Sequence, residues 1–550
     1  MTKPLLTSSI AAPAFFGLNT QESGVTLQEG FALHADNCII DKYGRLGARK
    51  GWSTQSSSLD GVEGTNVGIG LVGLSDFQEI TGDRTRLSWS PTHFFKGSQA
   101  LTTLTPVTTD TIVHGNWQSV VLNDHTYFYQ RGYIPLVYTN LGAADTFESF
   151  VQHGPTQGTH QTSNTALSAY GRIWHGDTPL NKTTVWFSNI LDGRDFAGGT
   201  AGSIDISSVL TQGADEIVAL GAHNGYLIIF CKNNIIIYSD NDNFQTSMNT
   251  TSLTLVEVIQ GVGCIARDSV QNTGEDILFL SNTGVRSLNR TVQEKSQPMR
   301  DISKNVRDDI IQAVRNENLA KIKSVYSPTN AFYLLTFPAS NRTFCFDTRM
   351  MLEDGSYRTT IWPELIPEAM LSVGSELYFA RPNGVALYAN YLDEDKPYTM
   401  SYFSNYFDLE MPNTNKIIKR ITATTVGASG QTFAIKIGYE YSPIYFSEAF
   451  VLGTGTVYEY GTAEFGPAPS VVPYVISWPA GGVYPNNWIA GVGVSVSSST
   501  EYAGSVLISE QSAPAQGAGD IIQIGFSTTI NGTAMSLQKL SIYAKQGKVL

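Results

Sequence analysis

Residues that could do chemistry are scattered through this chain, and none of their spacings assembles a site by itself. Gly68-Ile69-Gly70-Leu71-Val72-Gly73 satisfies GxGxxG, a pattern that holds a dinucleotide only where it turns a strand into a helix whose N-terminus meets the pyrophosphate. Leu74 to Trp89 has no helical period, so these are better read as strand and turn glycines. No phosphate loop of the GxxxxGKS or GxxxxGKT kind, no GxSxG elbow and no HExxH helix occurs. Asp240 with Asp242, and Asp393-Glu394-Asp395, could offer oxygen ligands to calcium. Neither completes a loop motif, and solvated surface is the plainer reading. Paired carboxylates for glycoside hydrolysis are defined by their separation in space, which sequence does not give. The 8 histidines are dispersed, with no HxH or HxxxH pair. Cys38, Cys231, Cys264 and Cys345 show no CxxC spacing, which predicts free buried thiols. Tyr439, Tyr441, Tyr445 and Phe446 could stack a sugar or meet another subunit, but alternating strand positions packed on a neighbour explain them as well. The expectation is no catalytic residue, no metal and no cofactor.

Composition points the same way. At 550 residues the chain exceeds one typical domain, so two or more units with their own cores are expected. Charged residues make up 15%, against about 25% in ordinary domains. With 26 Tyr and 26 Phe among many Gly, Thr, Ser and Asn residues, strands and turns are favoured over helices. The net charge is -13. The small basic group Lys416, Lys419 and Arg420 is read as flanking a strand rather than touching phosphate. A dedicated nucleic-acid binder carries a basic patch; an acidic wall repels DNA and lets it slide past. Met1 to Leu18 has one lysine and a short apolar run broken by Pro13, short of the roughly 20 residues that span a bilayer. A signal peptide is weakly supported, membrane insertion is not expected, and the sequon at Asn181 is incidental.

What must position such residues is a recurring unit of apolar strand, tight turn and second apolar strand. Phe279-Leu280-Ser281-Asn282-Thr283-Gly284-Val285 is echoed in register by Phe379-Ala380-Arg381-Pro382-Asn383-Gly384-Val385. Phe230 to Tyr238 and Tyr127 to Tyr133 are further versions. Gly or Asn accepts the positive φ of such turns. Anchored at Phe128, Phe187, Phe230, Phe279, Tyr333 and Phe379, the unit returns about every 50 residues, the signature of propeller blades. The fold class is therefore all-β: an N-terminal docking arm and hairpin over 1–60, a β-propeller over 61–400, and a C-terminal β-sandwich-like domain over 401–550. Two stacked sandwiches would show similar hairpins, and the number of blades stays open. Ile302, Val306, Ile310 and Val314 form a stripe four apart that predicts a helical insert over 301–323, packed on the propeller rim. Ser512 to Gly519 reads as a flexible loop.

Phe16-Gly17-Leu18-Asn19-Thr20-Gln21, followed by Leu27, Gly30, Ala32, Asn37, Asp41, Gly44, Leu46, Arg49, Gly51 and Trp52, resembles the opening of short-tailed, podovirus-type bacteriophage tail nozzle and hub proteins. These are also called tail tubular protein B or packaged-DNA stabilisation proteins. Within this stretch a hairpin is expected around Asp41-Lys42-Tyr43-Gly44, with Gly44 left-handed. Val185-Trp186-Phe187-Ser188, Ile204-Asp205-Ile206, Ile217 to Leu220, Leu227 to Phe230, Gly263 to Ala266 and Phe279 to Val285 look like that family's central blades in the same order. The likeness covers residues 12 to 400 and is looser beyond. It implies a structural virion protein of the phage tail, not an enzyme, assembled in the host cytoplasm as a homohexamer. Such a ring extends and closes the DNA channel below portal and adaptor, retains the packaged genome and opens for DNA ejection by a conformational switch. The implied partners are the adaptor (head-to-tail connector) ring, tail fibres or a tail needle or spike, and double-stranded DNA passing without specific binding. Asn19, Gln21, Asn37, Asp41, Arg49 and Trp52 are the candidate adaptor-docking residues.

Two other classes compete. A glycan-binding or glycan-degrading propeller, such as a tail-associated depolymerase or a lectin, fits the aromatic content. The turn Ser188 to Phe196 faintly resembles the Asp-containing turns of sialidase propellers, but it departs from their spacing and occurs once, so a structural turn is the better reading. A non-viral propeller scaffold for protein partners is the third.

Overall fold

The repeated hairpins form in the register their sequences predict. Ile277–Ser281 pairs antiparallel with Gly284–Ser287, Ser281 facing Gly284, and Glu376–Arg381 pairs with Gly384–Tyr388, Arg381 facing Gly384. Both glycines sit at positive φ, 134° and 142°, where a side chain would be strained. The computed structural model describes residues 5–56, 70–104, 115–140, 145–150, 162–210, 213–240, 253–294, 301–382, 384–409, 413–442, 444–452, 508–514 and 517–549, with the single positions 250 and 411.

Among the described residues the hairpins extend into six four-stranded antiparallel blades. Four come first, over 73–104, 118–149, 165–205 and 217–260; a smaller three-stranded sheet over 271–287 follows; two more blades span 323–362 and 369–388. The last is completed by Trp52–Thr54, which pairs with Gly384–Tyr388 and closes the ring with a strand from the other end of the chain. Neighbouring residues face opposite blades, as the strand period of two requires. Phe230 and Phe279 pack between the fourth blade and the three-stranded sheet, whereas Ile229 packs back on the third blade with Trp174 and Phe187. Phe379 joins Trp362 and Phe332 on one side, while Tyr378 and Ala380 meet Leu71, Leu74 and Phe95 of the first blade on the other. That last cluster joins the end of the series to its beginning, so the region is a closed propeller and not two stacked sandwiches. Burying both faces explains why the strands read as nearly continuous apolar runs. Each buried Phe contributes about 1.5–3 kcal/mol.

The helical stretch is shorter than expected. The helix runs Arg307–Arg315 after a tight turn at Lys304–Val306, and strand resumes at Lys323. The helix closes at Asn316, whose amide donates to the Ala313 and Val314 carbonyls, and Asn318 then caps a separate short turn over Leu319–Lys321 by accepting a 3.1 Å bond from the Ala320 amide, the local competition that makes Asn a poor helix interior. Ile302, Val306 and Ile310 are buried against Leu278, Leu280 and Phe344. The helix thus wedges between the three-stranded sheet and the next blade, filling space where that sheet lacks a fourth strand.

The expected N-terminal arm is not separate. Gly17–Leu18 and Phe31–Asp36 splice the blade over 323–362 to strands Tyr398–Phe407, Ile522–Ile530, Thr432–Tyr439 and Phe446–Val451, making one ten-stranded sheet. Cys38–Ile40 and Leu46–Ala48 form the predicted hairpin, with Gly44 at φ 72°, and join a seven-stranded sheet with Leu5–Ala11, Thr414–Gly427, Ile508–Pro514, Ala518–Gly519 and Met535–Val549. The two sheets share a core that includes Ile40, Ile421, Leu540, Tyr402, Ile435 and Phe526, so the sandwich is built from both ends of the chain. The propeller is inserted within it. Of Ser512 to Gly519, expected as a loop, Ser512 to Pro514 and Ala518–Gly519 are strand, Ser512 pairing with Thr422 and Gly519 with Lys416; Ala515 and Gln516 lie outside the described residues. The small residues of these strands suit a flat edge as well as a turn.

Candidate functional site

Two constellations of polar side chains stand out, one where propeller meets sandwich and one on the propeller axis. At the junction Arg49 is fully buried. Its two terminal nitrogens donate to Asp393 Oδ1 and Oδ2 at 2.8 and 2.6 Å, and its Nε donates to Asn37 Oδ1 at 2.8 Å. The guanidinium lies 4.2 Å from the centre of the Tyr398 ring, whose hydroxyl donates to the Arg49 carbonyl. Burial by itself would lower the Arg49 pKa, but the hydrogen bond and charge of Asp393 outweigh it and the net shift is upward. Asn37, at φ 55°, donates through Nδ2 to the Thr399 carbonyl at 2.8 Å. Gly51 passes so close to Leu392 that a Cβ there would fall 1.9 Å from the Leu392 oxygen. Trp52 lies under the Arg381 guanidinium at 3.9 Å.

The residues expected to dock an adaptor are thereby assigned otherwise. Asn37, Arg49 and Trp52 are buried ties within the chain. Asn19 is buried too and accepts from the Gln21 amide at 3.0 Å. Asp41 caps its own hairpin, accepting from the Tyr43 and Arg45 amides at 2.8 and 2.9 Å and from Arg45 Nε at 2.6 Å. Gln21 alone among the six is exposed. Most of the signature forms the junction, with Gln21 left at the surface and Asp41 partly exposed.

On the axis, the leading ends of the innermost strands converge. Arg267 reaches across them: Nη1 donates to the Asn164 carbonyl at 2.7 Å, Nη2 to Asn116 Oδ1 at 2.9 Å, and Nε to Asp268 Oδ1 at 2.7 Å. Lys323 closes on Asp268 from the far side. Burial would raise the Asp268 pKa, but the cations Arg267 and Lys323 hold it well below the usual carboxylate range. Cavities of about 410 and 480 Å³ flank this cluster, both lined in part by Asn116, Asn318 and Ala320. Val314, near the end of the helix, and Leu319, beyond it, line the first, so the connection from the helix to the next strand borders this cavity. Around the first cavity Asp177 pairs with Arg131 and, at 3.3 Å, with Lys182, while Glu216 pairs with Lys182 and Lys232 at 3.2 and 3.5 Å. The charges are neutralised in place, and a third cavity of about 190 Å³ lies among the innermost strands, lined by Leu74, Ser119, Gln271, Ser324 and Met370 together with Arg267, Asp268 and Lys323.

The remaining candidates resolve into structure. Gly73 opens the strand Gly73–Gln78, with no helix after it, and a Cβ there would fall 1.8 Å from Trp89; Gly68 and Ile69 lie outside the described residues. In the turn after Phe187, Asp192 accepts from the Arg194 amide and Asp195 from the Gly198 amide, at 2.9 and 2.7 Å, so both carboxylates fix backbone. Asp393 is taken by Arg49; Asp242 lies outside the described residues. All four cysteines are free and buried, and burial pushes the Cys264 thiol up to about 11. Tyr439 packs on Phe446 and Tyr445 on Phe403, although Tyr441 and Phe446 remain half exposed. Among the described residues no three His, Cys, Asp or Glu side chains gather to hold a metal ion, and no helix is long and apolar enough to cross a membrane.

No family model matches the chain, and no characterised protein matches it in sequence. Among solved structures it is similar to PorZ, a surface component of the type IX secretion system of Porphyromonas gingivalis, at 11% identity and a TM-score of 0.33 over 62% of this chain. The likeness spans 38% of the PorZ chain. It is also similar to Hsv2 of Kluyveromyces lactis, at 9% identity and a TM-score of 0.28, over 61% of this chain and 93% of that one. These scores fall short of a shared overall fold; the propeller stands on the strand pairing of the chain itself.

Proposed function

We propose that this chain is a structural subunit of a short phage tail, the nozzle or hub, which forms a homohexameric ring beneath the adaptor, retains packaged DNA and opens for ejection. The support comes from the stretch that carries the family likeness. Phe16 to Trp52 supplies the strands and the Arg49 clamp that fix propeller and sandwich to each other. A ring subunit must hold two such units at one angle while neighbours press on both, and a shared ten-stranded sheet with a buried clamp does that. Arg267 ties the leading ends of the inner strands across the propeller axis, and in this reading the DNA channel is the space between subunits, bounded by their outer surfaces. A glycan-binding reading has one observation in its favour, the exposed rings of Tyr441 and Phe446.

Immunogold electron microscopy of particles from producing cells tests the proposal. Label at the distal end of short tails is the expected result. Label confined to free protein or the cell envelope overturns it, and a glycan array would then be read for binding lost in Tyr441→Ala.

A further inference from the structure

The seven-stranded sheet of the sandwich turns one face to the shared core and the other to solvent. Its strands come from four distant parts of the sequence, and their register lays the outer face out in rows. Glu510, Thr424, Lys539 and Ala11 stand side by side; then Ser512, Thr422, Ser541 and Ser9; then Pro514, Arg420, Tyr543 and Thr7; then Ile417 and Lys545. Lys419 sits in the bulge beside Arg420. Lys419, Arg420, Lys539, Lys545, Thr7, Ser9 and Ser512 are exposed. Ion pairs elsewhere on the molecule are numerous, yet none among the described residues engages these four cations. Among its described residues the face therefore carries four cations, one carboxylate and a central band of hydroxyls, of which Ser9 and Ser512 are open and Thr422 and Ser541 are buried, on a chain whose net charge is -13. Within that band Thr422 is 5% exposed and its hydroxyl has no hydrogen-bond partner, an unmade bond that costs folding free energy.

We propose that this face binds the phosphate backbone of double-stranded DNA without reading its sequence. Lys and Arg charge with Ser and Thr donors is the combination that positions phosphates. Lys539 and Lys545 are six residues apart on one strand, roughly 20 Å, a length of duplex that carries about a dozen phosphates. The one aromatic ring of the face, Tyr543, lies under the Arg420 guanidinium at 4.4 Å. Among the described residues of the face no ring is open to stack the bases of a single strand. Ile417 is the one exposed large apolar side chain among them, too little to enter a bilayer. Flat charge and hydroxyls with neither a stacking platform nor an apolar wedge fit a duplex backbone. The proposal deepens the ring-subunit reading by assigning it a DNA-facing surface, and rests on it for the duplex as the natural ligand.

The test is fluorescence anisotropy of the full chain with a labelled 30-base-pair duplex of mixed sequence between 50 and 200 mM salt. Four phosphate contacts predict a slope of about -3.6 in log affinity against log salt, roughly a hundredfold loss over that range. R420Q/K539Q/K545Q, all surface changes, is expected to melt like the parent, bind at least tenfold more weakly at 50 mM and show a slope near -1. Absence of binding at 50 mM overturns the proposal, as does equal binding by the variant. Tighter retention on vesicles of anionic phospholipid than on duplex also overturns it. Binding in solution and position on the virion are read separately, so a positive face on a protein found away from tails rejects the ring and keeps the face.

Discussion

Arg49 and Asp393 meet through two parallel hydrogen bonds, 2.8 and 2.6 Å long, across 344 residues of sequence. The arginine is fully buried and the aspartate 14% exposed. Fork-to-fork pairing fixes direction as well as distance, so the pair sets the angle at which the propeller leaves the sandwich.

Removing one partner leaves the other charge stranded. Arg49→Leu is expected to destabilise the chain by about 3–5 kcal/mol, and the double variant Arg49→Leu with Asp393→Leu to recover most of the loss. Urea denaturation of the single and double variants measures it; strictly additive losses would mean the two side chains do not act together.

On the propeller axis, Asp268 has a folded pKa below its unfolded value, near 4, because Arg267 and Lys323 overcome the effect of burial. A depressed carboxylate stabilises above the unfolded value and loses that contribution as pH falls toward the folded one. Asp268→Asn should therefore melt below the parent at pH 7, and the gap should shrink as pH is lowered from about 4. Melting curves across that range check the sign, and a gap independent of pH would remove the electrostatic account.

Four buried thiols should be silent. At pH 8 the native chain is expected to give no fast reaction with Ellman's reagent, and the denatured chain to titrate all 4. Cys264, whose thiol burial pushes up to about 11, remains protonated at that pH. A native thiol that reacts within seconds would show that its strand opens.

Gly51 tests the close approach at the junction. With the Leu392 oxygen 1.9 Å from its would-be Cβ, Gly51→Ala must push two backbones apart. A loss of more than about 3 kcal/mol is expected, at or beyond the upper end of ordinary overpacking. Soluble expression with parental melting would show that the strands can shift.

How far the sequence could be read depended on how local the information was. The turn at Asn282-Thr283-Gly284 and its echo before Gly384 are local, and strand register follows from them. The stripe Ile302, Val306, Ile310 is local too, but the stop at Asn316 and the new turn capped by Asn318 leave no mark in the longer period. Arg49 and Asp393 have no signature in either neighbourhood. Asn37 and Trp52 looked like exposed polar and aromatic docking residues because burial by a strand more than 300 residues away leaves no trace nearby. The same distance hid the basic face: Arg420 reads as a strand flank until Lys539 and Lys545 are laid beside it by pairing.

The insertion of the propeller within the sandwich also sets an order in time. His34 leaves the ribosome long before Ser401, which stands 367 residues further on and lies 2.9 Å away in the finished chain. At about 5–20 residues per second of synthesis, the wait is of the order of 20 to 70 seconds. Trp52–Thr54 must likewise wait for Gly384–Tyr388 before the ring can shut. Ring closure thus waits for Gly384–Tyr388 and the full sandwich for Met535–Val549, and until then the early strands present unpaired edges that a nascent chain has to keep from its neighbours on the same message.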